Sequence, residues 1–167
     1  MKIASKVWLS SAALILSMAV LPSASSAQND AKHEHRHVMT SRGDSAMGFV
    51  AAKTTHHFLQ NLSGGTIKVT ANDPADTASR DAIQHHLQHV AQRFKEGDFD
   101  IPMFVHDQVP PGVPAMKRLK AEISYVYVGM DRGGRVEIST KNSEALTAIH
   151  DFLRFQIQEH HTGDKLR

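Results

Sequence analysis

Four short stretches of the chain carry the apolar, aromatic and β-branched residues, alternating with polar ones, that are typical of half-buried β-strands. They are residues 54–60, 66–70, 123–128 and 135–140. Ser63-Gly64-Gly65 separates the first pair and Arg132-Gly133-Gly134 separates the second. Because glycine-containing turns between two strands favour a hairpin, the pattern predicts two β-hairpins.

A helical pattern follows each predicted hairpin. The first helix is predicted to begin at Asp73-Pro74, with Asp73 as the N-cap, and to end at Gly97. The second is predicted to begin at Asn142-Ser143 and to end at Gly163. The apolar residues of both recur at helical spacing, which predicts one buried face on each helix: Ile83, Leu87, Val90, Ala91 and Phe94 in the first, and Ala145, Ile149, Leu153, Gln156 and Ile157 in the second.

The two β-β-α units match each other along the chain. The two helices align without a gap, with Ala82-Ile83 matching Ala148-Ile149. The two Gly-Gly turns also match, but the number of residues between them is three larger than the number between the matched helix positions. We therefore predict an internal duplication with units at about 54–98 and 122–164. The fold class is α+β, a four-stranded and mainly antiparallel sheet with two helices on one face. The Pro- and Gly-rich insert 99–116 is predicted to be a rigid loop, and a short helix is predicted from about Pro114 to Lys120.

Strand alternation assigns the aromatic residues of the first and third strands to one sheet face. These are His56, Phe58, Tyr125 and Tyr127, whereas His57 and Leu59 lie on the opposite face with Val126 and Val128. Both faces are therefore rather apolar, which is unusual for a sheet covered on one side. Either the insert or a second subunit covers the open face, or that face binds a ligand. A homodimer formed through the sheet is one prediction.

The N-terminal segment has the organisation of a secretory signal peptide. Lys2 and Lys6 precede an apolar run from Val7 to Leu21, and small residues end at Ala27. The run is shorter than the roughly 20 residues of a membrane-spanning helix. We predict a signal peptide at 1–27, a disordered histidine-containing arm at 28–50 and one domain at 51–167. The protein would be secreted, or periplasmic in a Gram-negative cell.

Export changes what the composition implies. The chain has 19 basic and 17 acidic residues, and loss of Lys2 and Lys6 leaves 17 of each. That balance argues against a nucleic-acid partner, and the absence of cysteine excludes disulfides and thiol chemistry. All 12 histidines remain after cleavage, so histidine enrichment is the feature that requires a function.

Histidines in the arm and on the first helix suggest transition-metal binding. His33, His35 and His37 alternate before Met39, so an extended arm would place imidazoles on one side, near a thioether. Such ligands suit Cu or Zn. Alternatively, the arm is a polar tail that tolerates histidine. His85 and His89 are one helical turn apart, a chelating spacing, although two ligands are incomplete for zinc.

A second group is predicted inside the domain. His86 aligns with Phe152 of the other unit, which places it near the core, either as a hydrogen-bonded buried histidine or as a ligand. His57, His86 and the loop residue His106 are the candidates for an interior metal site. For His150, His160 and His161 we predict structural or surface roles.

The sequence contains no hydrolase, phosphate-loop, dinucleotide or metalloprotease motif. Acid–base catalysis by His57 or His86 with a distant carboxylate stays open, the candidates being Asp73, Asp98 and Asp107. No spacing favours it.

Short motifs across most of the exported part resemble a family of uncharacterised exported bacterial proteins. They include Thr54-Thr55-His56-His57-Phe58, Asn72-Asp73-Pro74, Gly97-Asp98-Phe99 and Pro110-Pro111-Gly112, together with residues 86–91, 148–157 and 161–164. The resemblance implies export and no particular activity. Similar sequences are sometimes labelled aspartate carbamoyltransferase, but the Ser-Thr-Arg-Thr motif for carbamoyl phosphate is absent and Thr54-Thr55 does not replace it.

The leading functional hypothesis is a non-catalytic, exported protein that handles Cu or Zn through histidines. The alternatives are a ligand- or protein-interaction module that uses the aromatic sheet face, and, with less support, a small His/Asp enzyme.

Overall fold

Two hairpins and five helices make up the fold in a computed structural model that describes residues 24–166. Their order is α1 (Ala24–Met47), β1 (Thr54–Asn61), β2 (Gly64–Ala71), α2 (Thr77–Glu96), α3 (Asp100–His106), α4 (Val113–Arg118), β3 (Ile123–Met130), β4 (Gly133–Thr140) and α5 (Ser143–His160). Short 3-10 turns at Ala51–Lys53 and Lys120–Glu122 precede β1 and β3.

The four strands form one sheet in the order β1-β2-β4-β3, and every neighbouring pair is antiparallel. β1 and β3 have the same length, and so do β2 and β4. The two members of each pair are separated by the same number of residues along the chain, as the duplication predicts. Ile67 of β2 pairs with Val136 of β4, its own equivalent, so the pseudo-twofold relating the units passes between these residues. The predicted fold class, a four-stranded sheet built from two β-β-α units, is confirmed.

A glycine begins the inner strand of each unit because two backbones meet there. Gly64 has φ 149°, and a Cβ on it would lie 2.1 Å from the Ile138 carbonyl oxygen. Gly133 has φ 155°, and its Cβ would lie 2.2 Å from the equivalent oxygen, that of Val69. The Gly-Gly signal in the sequence thus marks the crossing of β2 and β4 in addition to the turns.

Each long helix packs mainly on the strands of the other unit. α2 lies over β3 and β4, whereas α5 lies over β1 and β2. The core between helices and sheet includes Ile83, Leu87, Ile149, Phe152 and Leu153. Neither unit can bury its own apolar surface alone, so the duplicated halves form one domain.

The helix boundaries differ slightly from those predicted. α2 is capped by Asp76, which accepts a hydrogen bond from the Ser79 amide, rather than by Asp73. Asn142 caps α5 as predicted, but the left-handed residue that ends this helix is His161, not Gly163. Gly97 ends α2 in the left-handed conformation, as predicted.

The insert 99–116 is helical over much of its length, whereas a rigid loop was predicted. It forms α3 and α4, and it contributes Phe99, Val113 and Met116 to the core. α4 ends at Arg118, close to the predicted short helix. Gly112 lies against the backbone of α5, where a Cβ would come 2.0 Å from the Ala148 carbonyl oxygen.

The segment predicted to be a disordered arm is helical. α1 runs from Ala24 to Met47 and packs mainly against α3, and Met39 and Gly43 near its end are buried. This helix contains no proline, and it obtains its apolar contacts from the domain rather than from a strong stripe of its own. Most of the predicted signal peptide lies outside the described residues. Within residues 24–166, no helix is both long and apolar enough to cross a membrane.

Candidate functional site

A cavity of about 80 Å³ lies under the helices, at the β1 side of the core. The sheet contributes His56 and Phe58, α2 and α5 form two walls, and α1 and α3 close the top. The apolar lining includes Met47, Phe58, Ile67, Val69, Leu87, Val90, Phe94, Ile101, Val105 and Phe152. Its polar lining is concentrated in four histidines and Gln156.

The four histidines come from four different elements: His56 from β1, His86 from α2, His106 from α3 and His160 from α5. The rings of His56 and His160 are stacked, with centroids 6.0 Å apart and planes at 13°. His106 meets His160 edge-on at 5.1 Å. Phe49, just after α1, packs on His56 at 6.1 Å and on His86 at 5.7 Å. We call these four residues the histidine cluster.

Three members of the cluster occupy positions where the other unit has an aromatic core residue. The equivalent of His56 is Tyr125, that of His86 is Phe152, and that of His160 is Phe94. Tyr125, Phe152 and Phe94 are all buried. The fold therefore accepts ordinary aromatic packing at these positions, so the imidazoles are not needed to build the core.

Burial keeps His56, His86 and His160 uncharged at neutral pH. Desolvation, with a smaller repulsion from His57, lowers the pKa of His56 to about 4. Desolvation first, and then repulsion from neighbouring histidines, lowers the pKa of His86 to about 4 and that of His160 to about 3. The cavity therefore has neutral polar groups in an apolar wall.

Two buried polar atoms of the wall have no hydrogen-bond partner among the described residues. They are His56 Nε2 and Gln156 Nε2. The side-chain oxygen of Gln156 is 3.1 Å from His106 Nε2, which orients both side chains. A buried polar atom without a partner is costly, so these two atoms are suited to hydrogen-bond a guest.

An outer groove of about 370 Å³ adjoins the cavity. Gly43, Met47, His56 and His160 line both spaces and form the boundary between them. The groove is more polar than the cavity, because its lining includes Thr40, Thr54, Thr55, Glu159, His161 and Thr162. Together the two spaces have an apolar inner end and a hydroxyl-rich outer end.

The interior trio predicted from the sequence is not brought together. His57 lies on the opposite sheet face from His56, and its Nδ1 is 2.8 Å from Asp164 Oδ1. His86 and His106 do line the cavity. Among residues 24–166, no group of three or more histidine and acidic side chains is arranged to hold a metal ion.

The other predicted ligands are exposed on helices. His85 and His89 are adjacent on the outer surface of α2, with ring centroids 4.3 Å apart. His33 and His37 are exposed on α1, one turn apart, so the alternating geometry of an extended arm does not apply. The side chain of His35 lies outside the described part of the chain.

The aromatic sheet face is the face that the helices cover. Phe58 and Tyr125 belong to the core, Tyr127 packs against it, and His56 lines the cavity. These four residues therefore do not form an open interaction surface. The opposite face carries Leu59 and Val126, which are 42% and 49% exposed, beside charged Lys68, Arg135 and Glu137.

The remaining histidines and acids have structural contacts. His150 Nε2 is 3.0 Å from the carbonyl oxygens of Asn61 and Gly64, at the first hairpin turn. Asp98 pairs with Arg93, and Asp107 pairs with Arg42 of α1. Neither acid reaches His57 or His86 in these contacts, and the carboxylate that His57 does contact is that of Asp164.

The roles of His56 and His160 in the cavity were not predicted from the sequence. Alternation places His56 on the same face as Phe58 but does not establish which sheet face the helices cover. The alignment of the two helices without a gap pairs His160 with Phe94, yet only a structural or surface role was predicted for His160. The missed signal was the replacement of an aromatic residue by histidine at three equivalent positions.

No protein-family model, curated protein or solved structure matches this chain. A function for the protein is therefore inferred from the cavity and its lining.

Proposed function

We propose that the protein is a non-catalytic binding protein for a small, uncharged molecule with an apolar end and a hydroxyl group. The observation that carries the proposal is the cavity itself, an apolar space with unpartnered His56 Nε2 and Gln156 Nε2 in its wall. An apolar site with a few convergent polar atoms is the usual form of a small-molecule site.

The lining favours a neutral guest. His56, His86 and His160 are uncharged at neutral pH, and no lysine, arginine or acid is part of the inner lining. Glu159 stands at the outer groove and repels an anion. A charged group in the cavity would lose its hydration without gaining a counter-ion.

The dimensions and polarity favour an amphiphile. A volume of 80 Å³ is several times the roughly 10–15 Å³ that a cavity needs to hold one water. A short alkyl chain fits there, with its polar end at the threonines of the groove. A hydroxyl both donates and accepts, so it can pair with His56 Nε2 in either tautomer of that ring.

Titration with 1-hexanol and hexanoate at pH 7.5 tests this function. The readout is the NMR signals of the histidine rings and of the Gln156 side-chain amide. We expect 1-hexanol to shift the His56 and His160 signals with a Kd on the order of millimolar, as suits a guest of this size. Hexanoate should bind at least tenfold more weakly. Absence of any response to 1-hexanol, or equal binding of both compounds, would contradict the proposal.

Metal binding is a second candidate function, and the close pair on α2 favours it. The rings of His85 and His89 lie side by side at helical spacing, as in a two-ligand site for Cu or Zn. Two imidazoles from one helix leave the coordination of zinc incomplete, so the affinity should be modest.

Calorimetric titration with Zn²⁺ and Cu²⁺ tests this candidate. Replacing both residues, His85→Gln and His89→Gln, should weaken binding at least tenfold, whereas the control pair His33→Gln and His37→Gln should leave it within twofold. If the control pair abolishes binding instead, the metal site is on α1. If the unaltered protein binds neither metal at 100-fold excess, metal handling is not its function.

We also propose that the chain acts outside the cytoplasm, as the signal-like residues 1–27 and the family resemblance suggest. A homodimer through the open sheet face stays a prediction, and sedimentation would test it.

A further inference from the structure

We propose that acid opens this cavity, because protonation of the stacked His56–His160 pair displaces α1 and releases the guest. The inference rests on the proposed binding function for the guest, whereas the movement of α1 can be measured without one.

The position of the pair makes its charge important. His56 and His160 lie at the boundary of cavity and groove, with Gly43 and Met47 of α1 against the same boundary. Neutral rings stack favourably there. Two imidazolium rings 6.0 Å apart would repel each other in a poorly solvated place, and each would seek water.

Four of the five titratable groups around the pair are themselves histidines, which do not neutralise such a charge. The titratable side chains facing the pair are His57 of β1, His86 of α2, His106 of α3, and Glu159 and His161 of α5. The α1 residues that line the two spaces are Met39, Thr40, Gly43 and Met47, none of which titrates. Glu159 is the one acid lining either space, and it lies 4.0 Å from His106 Nδ1.

α1 is the element best placed to move. It lies outside the duplicated frame and packs mainly on α3. The Arg42–Asp107 ion pair and the Asp44 contact to the Ala51 amide hold its end, and Phe49 rests on His56 and His86. Protonation of His56 and His86 therefore directly affects the rings on which Phe49, just after the end of α1, is packed.

The direction of the pH effect follows from the lowered pKa values. In the closed state His56 and His86 take up protons only near pH 4, whereas exposed histidines do so near 6.5. Between these values the open state binds more protons, so each pH unit favours opening by up to tenfold per histidine.

The experiment compares pH 7.5 with pH 5.0 by two readouts. Hydrogen exchange of the backbone amides of residues 39–47, corrected for the intrinsic rate, reports α1 in the free protein. Titration with 1-hexanol reports the guest. We expect protection of α1 and affinity for 1-hexanol each to fall at least tenfold at pH 5.0, while the β2 and β4 amides stay protected.

Two variants assign the effect. His160→Phe introduces the residue of the equivalent position in the other unit and should reduce the acid-induced loss of α1 protection at least threefold. His33→Gln removes an exposed histidine of α1 that lines neither space, and should behave as the unaltered protein. The proposal is overturned if α1 keeps its protection at pH 5.0, if His160→Phe leaves the loss unchanged, or if the sheet loses protection together with α1. Failure of 1-hexanol to bind at pH 7.5 would remove the binding function but not the acid response of α1.

Discussion

The pairing of His57 with Asp164 shows how a single carboxylate closes the edge of the sheet. Asp164 lies on the outer side of β1, where its two oxygens accept from His57, the Phe58 amide and the Thr162 hydroxyl. Burial alone would raise the pKa of Asp164, but these hydrogen bonds outweigh it and lower the pKa. The Phe58 amide at the outer edge of β1 is thereby satisfied.

Replacement of this carboxylate should be costly. Asp164→Ala leaves the Phe58 amide and His57 without their acceptor, so the free energy of unfolding should fall by about 1–3 kcal/mol. Because the pKa of Asp164 is lowered in the folded protein, its contribution is present above pH 3.8 and is lost as pH falls below that value. Urea denaturation at pH 7 and pH 3 measures both effects.

The control is Asp131→Ala, since Asp131 is exposed in the turn of the second hairpin. It should change the free energy of unfolding by less than about 0.5 kcal/mol. Equal losses in the two variants would show that Asp164 does not secure the edge.

At the level of single residues, the sequence predicted the sheet face of each residue but not its contacts. Alternation showed that His56 and His57 lie on opposite sheet faces, but it did not show which face the helices cover. The pairing of His57 with Asp164 joins residues more than 100 positions apart, and no local pattern indicates it. Faces can be derived from periodicity, whereas contacts depend on which face becomes the core.

At the level of elements, the glycines at the β2–β4 crossing are the least replaceable part of the frame. Gly133→Ala places a Cβ within 2.2 Å of the Val69 carbonyl oxygen at φ 155°, so the strands must separate. We expect the free energy of unfolding to fall by about 3 kcal/mol or more. Thermal and urea unfolding measure the change.

Gly129→Ala is the matched control in the neighbouring strand. Its Cβ would meet only the Tyr127 side chain, at 3.4 Å or more, so the loss should stay below about 1 kcal/mol. If Gly133→Ala lowers the free energy of unfolding no more than Gly129→Ala does, the backbones of β2 and β4 do not approach as closely as described.

The elements of the duplicated frame were predictable, because both units repeat the same signals of turn, cap and apolar stripe. The helix α1 was not predictable from the sequence. Its sequence is polar and lacks a strong apolar face, and its order depends on contacts of Met39 and Gly43 with the rest of the domain. Such tertiary contacts override weak local preference.

At the level of the whole molecule, the cavity arises where the duplication is broken. Two equal units would pack aromatic rings at equivalent places, whereas one unit has histidines there and is covered by α1 and α3. The sequence allowed the enrichment in histidine to be noticed and His86 to be placed near the core. It did not reveal the cavity, since α1 was predicted to be disordered and α3 to be a loop.

The cavity as a binding site is tested most directly at Gly43, where α1 borders both the inner space and the groove. Gly43→Leu fills the boundary with a side chain, whereas Gly43→Ala adds only a Cβ, whose nearest neighbour is Met47 Cε at 3.4 Å. Both substitutions favour the helix. The measurement is the Kd for 1-hexanol at pH 7.5, from the His56 and His160 ring signals.

We predict that Gly43→Leu weakens binding at least tenfold and that Gly43→Ala leaves it within threefold of the unaltered protein, with both variants as stable as the unaltered protein or more so. Undiminished binding of 1-hexanol by Gly43→Leu would contradict the account, because the guest would then lie elsewhere.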